Sequence, residues 1–103
     1  MFGVIETPTF LRSIAAFWGD DEAAEFVNFI AAGPLAGDVI PGTSKLRKVR
    51  WARPGMGKRG GVRAIYFVRT ERGEVVLLVA YIKAKFDNLP AEFLNRLKEQ
   101  YDV

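Results

Sequence analysis

Eight basic side chains fall between Lys45 and Arg63: Lys45, Arg47, Lys48, Arg50, Arg53, Lys58, Arg59 and Arg63. From Val39 to Thr70 there is no Asp or Glu. The net charge of +3 therefore hides a polarised chain, in which the remaining seven basic residues are outnumbered by twelve acidic ones. Like charges this dense repel one another unless an anion neutralises them, so the stretch reads as a surface for nucleic acid or phosphate. The plainer alternative, a solvated face that guards a strand edge against aggregation, explains any single one of these side chains as well. It explains the cluster poorly.

Histidine and cysteine are both absent. That removes disulfide frameworks, the commonest metal ligands and the usual general base at neutral pH. Carboxylates alone can bind magnesium, but the acidic residues lie mostly in the expected helices and turns, with no clustered pair near the basic stretch. A nucleophilic triad lacks its histidine. One chemistry survives. RNA carries its own nucleophile, the 2′-hydroxyl, and fixed Arg and Lys side chains stabilise the charge that develops at phosphorus. A lysine desolvated among other cations can also move a proton. Arg63 and Lys83 are the best-placed candidates, because strands hold geometry better than loops. Trp51, Tyr66 and Tyr81 could stack on bases, although aromatics at strand spacing are more often core. The run Gly55-Met56-Gly57-Lys58-Arg59-Gly60-Gly61 invites a phosphate-loop comparison and fails it. Arg59, not a hydroxyl residue, follows Lys58, and a strand comes next. A flexible basic loop over a phosphate backbone is the better reading.

The elements that must position these residues follow from periodicity. Met1–Glu6 reads as a strand. Thr7-Pro8 starts a helix whose apolar stripe is Phe10, Leu11, Ile14, Phe17 and Trp18, ended by Gly19. Asp20, Asp21 and Glu22 suit the first turn of a second helix with Ala23, Phe26, Val27 and Ile30 on its buried side, and Gly33-Pro34 stops it. Leu35–Ser44 reads as a loop. Leu46–Trp51 is a strand with Arg47, Val49 and Trp51 on one face and Lys48 and Arg50 on the other. Ala52–Gly61 reads as a mobile connection. In the next strand, Val62–Arg69, Arg63, Ile65 and Phe67 share a face. Glu71-Arg72-Gly73 is a hairpin turn, and Glu74–Lys83, apolar on both faces, is a central strand. Pro90 opens a last helix with Phe93, Leu94, Leu97 and Tyr101 on one side. The expected class is α+β in a single domain spanning 1–103, with an antiparallel sheet and its helices packed on one face. No secretory pattern appears, and the longest apolar run, Val75–Ile82, is too short to span a bilayer, so a cytoplasmic protein is expected.

Three runs together resemble the HigB/RelE toxins of type II toxin–antitoxin systems. They are Gly37-Asp38-Val39-Ile40-Pro41-Gly42-Thr43, Leu46-Arg47-Lys48-Val49-Arg50-Trp51 and Gly57-Lys58-Arg59-Gly60-Gly61-Val62-Arg63-Ala64-Ile65-Tyr66. The pattern is most similar to the HigB branch, GTGGLRK…GKGGxRxIYY. The resemblance implies a RelE-like fold and a ribosome-dependent endoribonuclease that cleaves translated mRNA without metal or other cofactor. It implies as partners the ribosome, mRNA and a cognate antitoxin of helix-turn-helix type, with operator DNA bound only through that antitoxin. Carried over, the catalytic positions are Lys48, Arg50, Arg63 and Lys83, while Lys45, Arg47, Arg53, Lys58 and Arg59 grip RNA or the ribosome. Two departures stand out: Ser44-Lys45 replaces the Gly-Gly pair, and no tyrosine lies between Tyr81 and Tyr101 to match the catalytic tyrosine of the RelE branch. The competing readings are a non-catalytic RNA- or protein-binding module of the same fold, of prophage origin, and a scaffold whose basic strip docks an acidic partner.

Overall fold

Among the described residues of the computed structural model the strands and α-helices follow in the order β1 (Gly3–Glu6), α1 (Pro8–Ile14), α2 (Asp20–Ala32), β2 (Asp38–Val39), β3 (Arg47–Trp51), β4 (Val62–Arg69), β5 (Glu74–Ile82) and α3 (Ala91–Tyr101), with a short 3-10 turn, Thr70–Arg72, between β4 and β5. The structure describes residues 1–51, 61–83 and 89–102. Five strands form one sheet in the order β1-β5-β4-β3-β2. The four strands β2 to β5 pair antiparallel, and β1 adds parallel to β5. The expected element order and α+β class hold. Two details differ. Asp38 and Val39, expected in a loop, make a short edge strand opposite Lys48 and Arg47. The expected mobile connection lies, apart from Gly61, outside the described residues.

Local chemistry explains the helix boundaries. Thr7 caps α1 by accepting from the Phe10 amide at 3.1 Å, and its hydroxyl donates to the Leu77 carbonyl at 2.7 Å, tying the helix start to β5. The helix ends at Ile14, earlier than Gly19, where the Phe17 and Trp18 amides both turn back to the Ile14 carbonyl. Within α1 Phe10 and Ile14 are buried, while Leu11, expected in the same stripe, is 47% exposed. Three acidic residues open α2, where they favour the helix dipole.

The helices do not share one sheet face, as the sequence suggested. Phe10, Ile14, Phe26 and Ile30 of α1 and α2 pack on Val49, Val62, Ala64, Tyr66, Val75 and Leu77. Leu94 and Leu97 of α3 pack on the opposite face, against Leu46, Ile65, Phe67, Val76 and Leu78. The physical reason is that β4 and β5 are apolar on both sides, so each side requires a cover. Between these two strands the register slips by one. Ile65 faces Val79 but Tyr66 faces Leu77, leaving Leu78 as an extra residue. Such a bulge inverts the alternation downstream. Val75 and Leu77 point to α1 and α2, as does Ala80; Leu78, Val79 and Tyr81 all point to α3.

Candidate nucleic-acid interface

The β3–β4–β5 register builds a cationic row on the α3 face. Lys48 and Arg50 alternate away from Val49, which is buried on the other face. Arg50 sits directly opposite Arg63, and Arg63 directly opposite Tyr81. Lys83 follows the end of β5, and its amide still bonds the Gly61 carbonyl at 3.1 Å, so the ladder continues to it. Alternation then puts Lys83 on Tyr81's side. Without the bulge, Tyr81 and Lys83 would have shared the face of Val75 and Leu77. The slip is therefore what unites Lys83 with Arg63.

Paired residues of neighbouring strands stand about 4.5–5.5 Å apart at Cβ, and like charges so placed are destabilising. Arg50 against Arg63 is a pairing that folding alone does not favour, and an anion lying between them would relieve the repulsion. Arg50 and Lys83 are exposed, while Lys48 and Arg63 are half-buried. The Arg63 guanidinium is the most confined. Its Nη1 is buried and has no hydrogen-bond partner among the described residues. A Cβ at Gly61 would stand 3.3 Å from that nitrogen, so the glycine makes room for it. Buried Tyr81 lies close enough to feel the charge. Burial raises its phenol pKa, and Arg63 partly opposes the rise. Sequence reasoning gave Tyr81 no such role. Its nearness to Arg63 depends on a bulge that no residue type announces.

The other predicted residues divide. Arg47 is on the opposite face, where its Nη1 donates to the Gly37 carbonyl at 2.6 Å. Lys45 is exposed in the β2–β3 connection. Neither joins the row. Arg53, Lys58 and Arg59 lie outside the described residues. The aromatics expected to choose between stacking and packing are packed. Tyr66 is fully buried, and its hydroxyl accepts from the Gly37 amide and donates to the Pro34 carbonyl, both at 2.8 Å. Trp51 lies against Phe26 and Phe29, with centroids 5.6 and 5.0 Å away. Gly37 is required at that crossing, because a Cβ there would meet the Lys48 carbonyl oxygen and the Tyr66 hydroxyl at 2.9 Å.

Helix α3 bounds the row on one side. Asn95 accepts from the Ser44 amide at 2.9 Å and donates to the Gly42 carbonyl at 3.1 Å, while Lys98 donates to the Ser44 carbonyl at 2.9 Å. The helix is thus fixed to the β2–β3 connection, over Ile65 and Phe67. Among the described residues, no helix is long and apolar enough to cross a membrane.

No family model matches the chain. Solved structures are similar to it. A double arginine-to-alanine mutant of Escherichia coli toxin RelE in the free state superposes with a TM-score of 0.58 at 13% identity, covering 84% of this chain and 87% of that one. A chain of the intact E. coli RelBE toxin–antitoxin complex gives 0.55 at 13% identity, covering 78% and 94%. At that identity the likeness is one of fold: the chain has the RelE fold.

Proposed function

We propose that this protein is the toxin of a type II toxin–antitoxin system, of the HigB branch, and that it cleaves translated mRNA on the ribosome. The fold is shared with RelE, and the motifs in β3 and β4 favour HigB within that group. One observation carries the catalytic reading: Lys48, Arg50, Arg63 and Lys83 lie on one sheet face, with two arginines in direct opposition. A phosphodiester bridging Arg50 and Arg63 relieves their repulsion. The 2′-oxygen then attacks the adjacent phosphorus, the bond to the 5′-oxygen breaks, and the guanidinium groups stabilise the charge on the equatorial oxygens. Lys48 and Lys83 flank the row, placed to take the proton from the 2′-hydroxyl and to supply one to the leaving oxygen. No step requires a metal. The partner is a cognate antitoxin of helix-turn-helix type, through which any contact with operator DNA is made.

Primer extension on mRNA from cells expressing the protein tests the reading. Wild type should arrest growth and give discrete cuts within codons. Arg63→Ala and Lys83→Ala, still folded, should abolish both. Undiminished cutting by both variants would remove the assigned residues, and growth arrest without cuts would favour the non-catalytic module. That second reading draws on the absence of a tyrosine between Tyr81 and Tyr101.

A further inference from the structure

β1 accompanies only the first part of β5. Its last pair is Glu6 with Leu77, and no strand lies beside residues 78–82 on that side among the described residues. The gap holds a cavity of about 410 Å³. Phe17, in the turn after α1, walls it on one side, Phe93 of α3 on the other, and Tyr81 from the sheet. No charged side chain lines it among the described residues.

Strand geometry decides which backbone groups face this gap. The Lys83 amide bonds the Gly61 carbonyl, so Tyr81 and Lys83 turn their amides to β4, and Ala80 and Ile82 turn theirs to the gap. The Ala80 amide accordingly meets Ser13 Oγ at 3.0 Å. That hydroxyl donates its own hydrogen to the Phe10 carbonyl at 2.7 Å. What remains at the gap is the Ala80 carbonyl followed by the Ile82 amide, one acceptor beside one donor. An added strand needs donors and acceptors alternating over several residues, and Ser13 has already taken one of them. A planar ring with a donor next to an acceptor on one edge needs only the pair that is left. Its two faces would meet Phe17 and Phe93. Unpaired nucleobases have both that edge and those faces.

We propose that this gap is a nucleobase site, in which a base of single-stranded RNA lies edge-on to Ala80 and Ile82 between Phe17 and Phe93. The inference rests on reading the cationic row as an RNA track. Arg63 sits opposite Tyr81, whose ring also walls the gap, so a nucleotide with its phosphate at Arg63 has only Tyr81 to cross. The row holds the backbone whatever the sequence, and the gap reads a base. Stacking thus falls to phenylalanines rather than to Trp51 and Tyr66, which are packed among other side chains. Phe93 belongs to the apolar side of α3, yet it is 40% exposed where Leu94 and Leu97 are buried. A stacked base covers it.

The test is amide NMR on the whole protein with a 2′-O-methyl tetranucleotide containing each base once, which cannot be cut by 2′-oxygen attack. Its control is the same backbone with abasic sugars. The intact strand should shift the amides of Ala80, Ile82 and Phe93 together with those of Arg50 and Arg63, and the abasic strand only the last two. Phe93→Ala should weaken binding of the intact strand about tenfold at an unchanged melting temperature, as expected for one lost stacking partner, and leave abasic binding as it was. Phe93→Trp should restore the affinity. Equal shifts of Ala80 and Ile82 by the abasic strand would overturn the base site. Intact-strand shifts confined to Arg50 and Arg63 would also reject it while the RNA track stands. No shift at Arg50 and Arg63 would remove the track and this inference with it. A neutral peptide alternating threonine and valine should leave Ala80 and Ile82 unmoved; shifts from it there would make the edge a strand site instead.

Discussion

The two faces of the central strands come from the same residues in alternation, yet they end differently. The α1/α2 face is closed along its length by two helices that bury Phe10, Ile14, Phe26 and Ile30. The α3 face has one helix, which buries Leu94 and Leu97 over Ile65, Phe67 and Leu78. Past that cover the strands carry Lys48, Arg50, Arg63 and Lys83. The lesson is one of division of labour: a sealed face supplies stability, and the half-covered face can then hold like charges in opposition.

Truncating the sealed face should have the largest effect. Phe26 is fully buried and contacts the rings of Phe10, Trp18, Phe29 and Trp51. Phe26→Ala should cost about 3–5 kcal/mol, read as a lower midpoint in denaturant unfolding. In native-state hydrogen exchange, α3 should open at lower free energy than α2, since fewer buried side chains anchor it. Equal protection of α2 and α3 would mean that the two covers act as one unit.

The half-covered face should respond in activity instead. Arg50 is exposed, so Arg50→Ala should leave the melting temperature unchanged, or raise it slightly by relieving repulsion from Arg63. If the cleavage reading holds, cutting should fall by about a hundredfold, in the range for removing one donor to a transition-state anion. A variant that loses stability with full cutting would reverse the roles assigned to the two faces.

How far the sequence reveals these faces depends on the strand. Alternation alone separates Lys48 and Arg50 from Val49 in β3 and groups Arg63 with Ile65 and Phe67 in β4, as the structure has them. In β5 it cannot do the same. Val75 to Ile82 is apolar throughout, so the one-residue slip at Leu78 leaves no mark on the pattern, although it decides where Lys83 points. The amphipathic stripe of α3 was legible as well, but not the face it covers, because both faces of β4 and β5 accept one. The short β2 strand was hidden among glycine and proline, since its pairing comes from β3 rather than from its own residues.

A smaller effect is expected where the sealed face meets the β2–β3 side. Tyr66→Phe removes the acceptor for the Gly37 amide and the donor to Pro34. The loss should be about 1–2 kcal/mol, because buried partners are left unmatched. Its signature is local: faster exchange of the Gly37 amide with the rest of the sheet unchanged. A loss spread over α1 and α2 would mean that the phenol supports the core by packing rather than by its hydroxyl.

The smallest effect is a pH dependence with one phenol reporting on each face. Burial is the main cause that raises the pKa of Tyr66 on the sealed face and of Tyr81 on the half-covered one. For Tyr66 the Gly37 hydrogen bond and then Arg47 oppose the rise, and for Tyr81 Arg63 opposes it. A phenol whose folded pKa is raised stabilises the fold fully below its unfolded value, near pH 10, and loses that contribution as pH rises through the folded value. Tyr101 is opposite in sign, lowered chiefly by its hydrogen bond with Thr9, so its contribution is present above the unfolded pKa and lost as pH falls through the folded one. Denaturation midpoints taken from about pH 8 to about pH 11 should therefore fall at the alkaline end. Tyr66→Phe and Tyr81→Phe should each flatten that fall, and Tyr101→Phe should steepen it. Tyr81→Phe should flatten it less than Tyr66→Phe if the Arg63 charge lies as near the phenol as the cross-strand pairing implies. The reverse order would place Arg63 away from Tyr81 and loosen the cationic row at its centre.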